Sequence, residues 1–167
     1  MGEGTSDLPD ESRKKILIID GHSLAHRAFH ALPVSLTRSD GVPTNAVLGF
    51  CNMLIKLLEQ ESPDAAVCTF DTPEPTFRHK KYEHYKATRK PMDDALRVQM
   101  PVVREAAAAF GLTVLELPGW EADDIIGSVA RRAEDQGYEA LIVTGDRDAL
   151  QLASGRVKVL LTRKGIS

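Results

Sequence analysis

Glu121, Asp123 and Asp124 put three carboxylates within four residues, directly after the apolar segment Thr113 to Leu117 and at the start of an amphipathic run. A helix that begins there favours acids in its first turn, because free backbone N–H groups and the helix dipole attract negative charge. That accounts for Glu121 and leaves an excess, since carboxylates this close repel one another unless a cation lies between them. Glu121 and Asp124 are three apart, so a helix sets them on one face, with Asp123 beside them. Other acids share the setting. Asp20 closes the apolar run Ile16-Leu17-Ile18-Ile19, Asp71 closes Ala65 to Phe70, and Asp146 and Asp148 follow Glu139 to Thr144. Oxygen-only ligand sets select hard divalent ions, here Mg²⁺ or Mn²⁺. A polar turn with helix-capping duties would explain Asp146 and Asp148 taken alone.

Such acids need a frame that brings them together. Lys14 to Gly21, Ala65 to Asp71, Thr113 to Leu117, Glu139 to Thr144 and Arg156 to Leu161 read as short strands, the first apolar on both faces as in the middle of a parallel sheet. Thr44 to Gln60 reads as an amphipathic helix, with Val47, Phe50, Leu54, Leu57 and Leu58 at helical spacing and Pro63 beyond its end. Asp93 to Phe110 and Ala122 to Gln136 are further helices closed by Gly111 and Gly137, and Pro101 bends the former. His22 to Leu32 is a polar–apolar segment, and Asp40 to Pro43 a loop. Strands alternating with helices predict an α/β fold, a parallel sheet with right-handed crossovers and helices on both faces. Ligands of such sheets bind beyond the strand C-termini, where all seven acids fall.

The composition is that of an ordinary globular chain. Its 167 residues suit one compact domain that buries roughly 70% of its unfolded surface. Apolar residues make up 43% and charged ones 27%, and no apolar run approaches the roughly 18 residues of a membrane span. Met1 to Lys15 is polar and lacks the apolar core of a secretory signal, so residues 1–14 are expected as a disordered tail. Residues 2–6 fit the loose myristoylation pattern, which chance produces often. Cys51 and Cys68 sit in apolar contexts as buried thiols of a reducing cytosol. The net charge of −3 speaks against the whole chain as a nucleic-acid binder, but Arg78 to Lys90 carries six bases against Glu83 alone. These are Arg78, Lys80, Lys81, Lys86, Arg89 and Lys90, interleaved with Tyr82 and Tyr85. Bases neutralise phosphates and rings stack on unpaired nucleobases, although a solvated charged loop has the same composition. His22 and His26 have the spacing of a zinc pair, without a cysteine or further histidine to complete it, and Trp120 reads as a packing residue.

In order along the chain stand Ile18-Ile19-Asp20-Gly21 with Arg27-Ala28-Phe29-His30-Ala31, Thr69-Phe70-Asp71, and Phe77-Arg78 through Tyr85-Lys86-Ala87-Thr88-Arg89. Glu121-Ala122-Asp123-Asp124 and Thr144-Gly145-Asp146-Arg147-Asp148 follow. Together they resemble the 5′ nucleases of the flap-endonuclease superfamily, most closely the 5′→3′ exonuclease domain of bacterial DNA polymerase I. The resemblance runs from Lys15 to Ser167. It implies a PIN-like, Rossmann-like three-layer fold over residues 15–167 with a basic helical arch at about 73–91. It further implies a bacterial, cytoplasmic, nucleoid-associated monomer that hydrolyses DNA near a 5′ end or flap with two metal ions, and a fused polymerase module. On this resemblance Asp20, Asp71, Glu121, Asp123 and Asp124 build the first Mg²⁺ or Mn²⁺ site, and Asp146 and Asp148 lead toward the second. Arg78 and Lys86 contact the phosphates at the scissile bond and Tyr85 stacks. Arg27, Lys80, Lys81, Tyr82, Arg89 and Lys90 complete the DNA-binding set. The arch is expected to be mobile before DNA threads it.

The relatives continue into a region with further second-site aspartates and a helix–hairpin–helix element that grips duplex. Neither occurs within these residues, so a fragment of weak or no activity, with a weak second metal site, is the expectation. A PIN-type ribonuclease or a non-catalytic nucleic-acid-binding remnant would share the acids. Asp20→Asn or Asp124→Asn is expected to leave folding intact or improved, by relieving repulsion.

Overall fold

The computed structural model of the protein describes residues 13–162. Five strands, β1 (Lys15–Asp20), β2 (Ala65–Thr69), β3 (Thr113–Leu115), β4 (Glu139–Thr144) and β5 (Val157–Leu161), form one sheet in the order β3-β2-β1-β4-β5, and every pairing is parallel. The apolar run of β1 takes the centre, where Leu17, Ile18 and Ile19 are fully buried. Alternation along the strand divides them between two cores. Leu17 and Ile19 pack with α1 (Gly21–Ala31), α2 (Asn45–Glu61) and α5 (Met100–Ala109), while Ile18 packs with α6 (Ala122–Asp135) on the other face. The result is the three-layer α/β, PIN-like architecture expected from the sequence. From β1 the chain first builds outward through β2 and β3, then returns to add β4 and β5 on the opposite side. The C-terminal ends of β1 and β4 therefore flank the topological switch point, where open sheets bind ligands.

Several boundaries differ from the sequence expectation, each for a local reason. His22 to Leu32 is helical: Asp20 is the N-cap of α1, accepting from Ser23 N at 3.1 Å. Asp93 to Phe110 is two helices, α4 (Asp94–Arg97) and α5, after the five-residue α3 (Phe77–Lys81). Pro101 cannot donate back to the preceding turn, so the helix breaks and restarts at Met100. The break frees Gln99, fully buried, to accept from Ala46 N (2.8 Å) and Val47 N (3.2 Å) and to donate to Asn45 Oδ1 (2.9 Å). It thus caps α2, whose own N-cap Thr44 makes no side-chain bond. α5 and α6 end before Gly111 and Gly137, each with the positive φ of a helix-terminating glycine. Gly21 is needed for space, since a Cβ there would lie 2.4 Å from the Phe70 ring.

The expected tail at residues 1–14, and with it the myristoylation pattern, lies outside the described residues except for Arg13 and Lys14. These two are tied to β4: Lys14 O accepts from Glu139 N at 2.9 Å, and Arg13 lies 4.0 Å from Glu139. Cys68 is buried and Cys51 half-buried, both as thiols. Among the described residues no helix is long and apolar enough to cross a membrane.

Candidate active site

Four parts of the sheet edge deliver the acids. Asp20 ends β1 and is only 7% exposed. Its carboxylate accepts from Ser23 N and, at 2.8 Å, from Thr144 Oγ1 at the end of the neighbouring β4. Burial raises its pKa above the ordinary value, partly offset by these two donors. Asp71 lies just past β2 and accepts from Ala122 N (2.7 Å) at the start of α6. Glu121 is the N-cap of α6 and is 7% exposed, and its N–H donates to Asp124 Oδ2 at 3.1 Å. Asp146 caps the 3-10 helix Arg147–Leu152 by accepting from Asp148 N at 2.9 Å. Asp123 points to where these carboxylates gather. Desolvation, then repulsion by Asp20, Asp146 and Asp71, pushes its pKa up to about 6.

The basic segment lies against this edge. It is helical only in α3 and continues in turns, with Tyr85 N on Tyr82 O, Ala87 N on His84 O and Arg89 N on Lys86 O. Arg78 forks Asp124 with two bonds of 2.8 and 2.7 Å and lies 3.6 Å from Glu121. This pairing holds Asp124 below the ordinary carboxylate pKa. Lys86 Nζ lies 3.1 Å from Glu121 Oε1, and Tyr85 OH donates to Oε2 at 3.2 Å. Lys86 has a φ of 57°, a left-handed conformation that costs a non-glycine residue about 1 kcal/mol.

A cleft of about 1210 Å³ opens here. Six of the seven predicted acids line it, Asp124 being withdrawn behind Glu121 with Arg78, and Arg27, Tyr85, Lys86, Arg89 and Lys90 form its basic side. Lys80, Lys81 and Tyr82 are exposed on the arch and do not line the cleft. Among the described residues no three acidic, histidine or cysteine side chains close on one point as they stand. Asp20 is turned to Ser23 and Thr144, Asp71 to α6, and Glu121 and Asp124 to the arch. The donor set nonetheless fits a hard divalent cation. Its oxygens are carboxylates from four crossovers, Asp123 is repelled by Asp20, Asp146 and Asp71 with only partial relief from Lys86, and Thr162 Oγ1 is buried without a hydrogen bond.

Sequence reasoning missed several supporting groups. His22 does not pair with His26: its Nδ1 accepts from Asp71 N at 3.2 Å and its ring stands edge-on to Phe70. Burial lowers its pKa, in keeping with a neutral acceptor. Arg104 donates to Asp71 O at 3.2 Å while it lies over the Phe70 ring and pairs with Glu116. Ser23 Oγ accepts from Gly145 N at 2.6 Å, joining α1 to the loop that carries Asp146. Only Ser23 had a legible signal, its place three residues after the N-cap Asp20.

Comparison with known proteins bears on this arrangement. The family of 5′-3′ exonuclease N-terminal, resolvase-like domains matches residues 15–166. DNA polymerase I of Mycobacterium tuberculosis (strain ATCC 25618 / H37Rv) is 48% identical over 166 residues, 98% of this chain. That of Bacillus subtilis (strain 168) is 46% identical over 155 residues, 93% of this chain. The chain spans 18% of the length of each of these relatives. Among solved structures, T5 5′-exonuclease with divalent zinc ions bound gives a TM-score of 0.72 at 15% identity, covering 89% of this chain and 55% of that one. Bacteriophage T5 flap endonuclease, in a pseudo-enzyme-product complex with DNA and metal ions, gives 0.68 at 17% identity over the same shares. At these identities the likeness to the solved structures is one of fold.

Proposed function

The chain belongs to the 5′-3′ exonuclease N-terminal, resolvase-like domain family, and from that membership we propose that it is the acid-bearing part of a metal-dependent 5′ nuclease acting on DNA ends or flaps. The observation that supports this most is the closure of a multi-crossover carboxylate edge by Arg78, Lys86 and Tyr85 of one basic segment. Asp20, Asp71, Glu121 and Asp123, with Asp124 once freed from Arg78, would hold the first divalent cation, and Asp146 and Asp148 a weaker second one. Such ions supply Lewis-acid chemistry, producing the nucleophile and stabilising charge at the scissile phosphate. The chain's own residues supply the rest. Lys86 and Arg78 exchange their carboxylate partners for phosphate oxygens, as suits an ammonium and a planar fork. Tyr85 stacks, and Arg27, Arg89 and Lys90 hold the strand along the far wall. His22 and Arg104 keep the Asp71 backbone in place. As in the DNA polymerase I relatives, a polymerase module belongs to the larger protein, which we take to be monomeric and nucleoid-associated.

The test is cleavage of a labelled 5′-flap DNA, beside single-stranded RNA, with Mg²⁺ or Mn²⁺. It uses this chain and one extended past Ser167. Cleavage of the flap by the extended chain, its loss in Asp20→Asn and little turnover by the short chain are expected. Preference for the RNA would replace this function with that of a PIN-type ribonuclease. Metal-indifferent, salt-sensitive DNA binding without cleavage would leave a non-catalytic module.

A further inference from the structure

Trp120 and Phe77 are aromatic residues of this region that the proposed chemistry does not use. Each stands next to a residue that it does: Phe77 precedes Arg78 and Trp120 precedes Glu121. The two segments are tied together by Phe77 N donating to Gly119 O at 3.0 Å. The rings lie 5.0 Å apart with planes inclined by 59°, and the Arg78 guanidinium sits 4.5 Å over the Phe77 ring. Yet Trp120 is 47% and Phe77 41% exposed. Packing was the expected role of Trp120, and this much ring surface left in water forgoes most of the stabilisation packing would give. Neither ring lines the cleft, so the pair faces outward at the foot of the arch.

The chemistry around the pair indicates what covers it. Along the arch, cations and rings are coupled three times, Arg78 with Phe77, Lys81 with Tyr82 and Lys86 with Tyr85. Lys80 and Lys81 are exposed beside them. A partner that presents flat π-faces at regular intervals along a chain of anions satisfies both features, and single-stranded nucleic acid is that partner. An apolar protein surface would satisfy the rings and leave the exposed Lys80 and Lys81 unmatched. We infer that Trp120 and Phe77 form a stacking platform for an unpaired nucleobase outside the cleft, an inference that rests on the nuclease function proposed above. A strand held by its phosphates on Arg78 and Lys86 would then have one base seated on this platform, which fixes its register at the carboxylate edge.

Trp120 is the single tryptophan of the chain, so its fluorescence reports on this spot alone. The experiment titrates the chain, in Ca²⁺ or chelator to prevent cleavage, with an oligothymidylate and with an abasic strand of equal length. Binding is followed independently by anisotropy of a label on the DNA. Saturable quenching by the oligothymidylate, with much less from the abasic strand at equal occupancy, is expected. Trp120→Leu should weaken oligothymidylate binding about ten-fold, Trp120→Phe should restore most of it, and neither should alter abasic binding. Both residues are exposed, so unchanged melting temperatures are expected and separate stacking from misfolding. DNA that binds by anisotropy without changing Trp120 emission overturns the platform and leaves the nuclease assignment standing. Emission already blue-shifted and indifferent to DNA also overturns it, showing that protein covers the rings. Failure of any DNA to bind overturns the platform, while the nuclease assignment is decided by flap cleavage in the extended chain.

Discussion

Asp123 and Asp124 are neighbours in sequence and differ in electrostatic setting. Asp124 receives two bonds from Arg78, and its pKa falls. Asp123 is desolvated and then crowded by Asp20, Asp146 and Asp71, and its pKa rises to about 6. The expectation that Asp124→Asn relieves repulsion therefore fails, because Asp124 is paired with Arg78, and such relief belongs to Asp123 instead. In chelator, Asp124→Asn should destabilise the fold by about 1 kcal/mol, the scale of a well-formed, partly exposed Arg–carboxylate fork. A carboxylate with a lowered pKa contributes stability above its unfolded value of 3.8, so this loss should be equal at pH 8 and pH 5 and shrink only in stronger acid. Asp123→Asn should do the reverse. A raised pKa means that the folded chain holds a proton more tightly, so ionisation above about pH 6 costs stability. The variant should melt higher than wild type at pH 8, with the gain fading as pH falls from 6 toward 4. Thermal melts across that range check both, and a pH-independent gain for Asp123→Asn would assign it to packing instead. The cluster itself was legible from its excess of carboxylate. Its division was not, because Arg78 is 46 positions from Asp124 and only the folded arch brings them together.

Five strands, each read within a few residues of its place, and acids at their C-terminal ends made the edge legible before any coordinates. Short apolar runs and helix-stopping glycines are local signals that tertiary packing seldom overrides. What escaped was tertiary in origin. The helix after Asp20 hides its periodicity behind polar residues that face the cleft, among them His22, His26 and Arg27. The break between α4 and α5 depends on Gln99, whose partners, the backbone of Ala46 and Val47 and the side chain of Asn45, lie more than fifty positions away. Asn45 in turn donates to Phe29 O and Leu32 O, locking the end of α1. Truncating Gln99 to alanine would strand the buried Ala46 N–H and the partly buried Val47 N–H and leave a void. We expect a loss of about 2–4 kcal/mol in chemical denaturation. Gln99→Glu should lose at least as much, since its second carboxylate oxygen would face Asn45 Oδ1 and Ala95 O, to which the Gln99 amide donates, and Gln99→Leu should be destabilised as well. If leucine restores stability, volume rather than capping is the reason Gln99 is there.

Taken whole, the molecule carries a net charge of −3 and confines its strongest opposite charges to two facing surfaces, the carboxylate edge and the arch. Lys86 and Arg78 neutralise Glu121 and Asp124, the acids on which an incoming divalent cation would also draw. Two cations cannot neutralise the same carboxylates fully, so on the proposed function metal binding and release of the arch compete for one set of charges. Millimolar Mg²⁺ should then speed amide hydrogen exchange across residues 77–90 while leaving β1 and β4 unchanged. The mobile arch expected from the resemblance would be a property of the metal-loaded chain rather than of the chain alone. Coupling of this kind is reciprocal. Lys86→Gln removes a competing cation and keeps the Cβ and unbranched stem at that left-handed position, so it should bind Mn²⁺ several-fold more tightly in a titration followed by the ion's paramagnetic resonance. The same substitution should slow cleavage, because the phosphate loses its ammonium partner. Tighter metal with slower cleavage separates this competition from simple damage to the site, which would weaken both. Exchange that slows in Mg²⁺, or Mn²⁺ affinity unchanged in Lys86→Gln, would show that arch and metal occupy the acids independently.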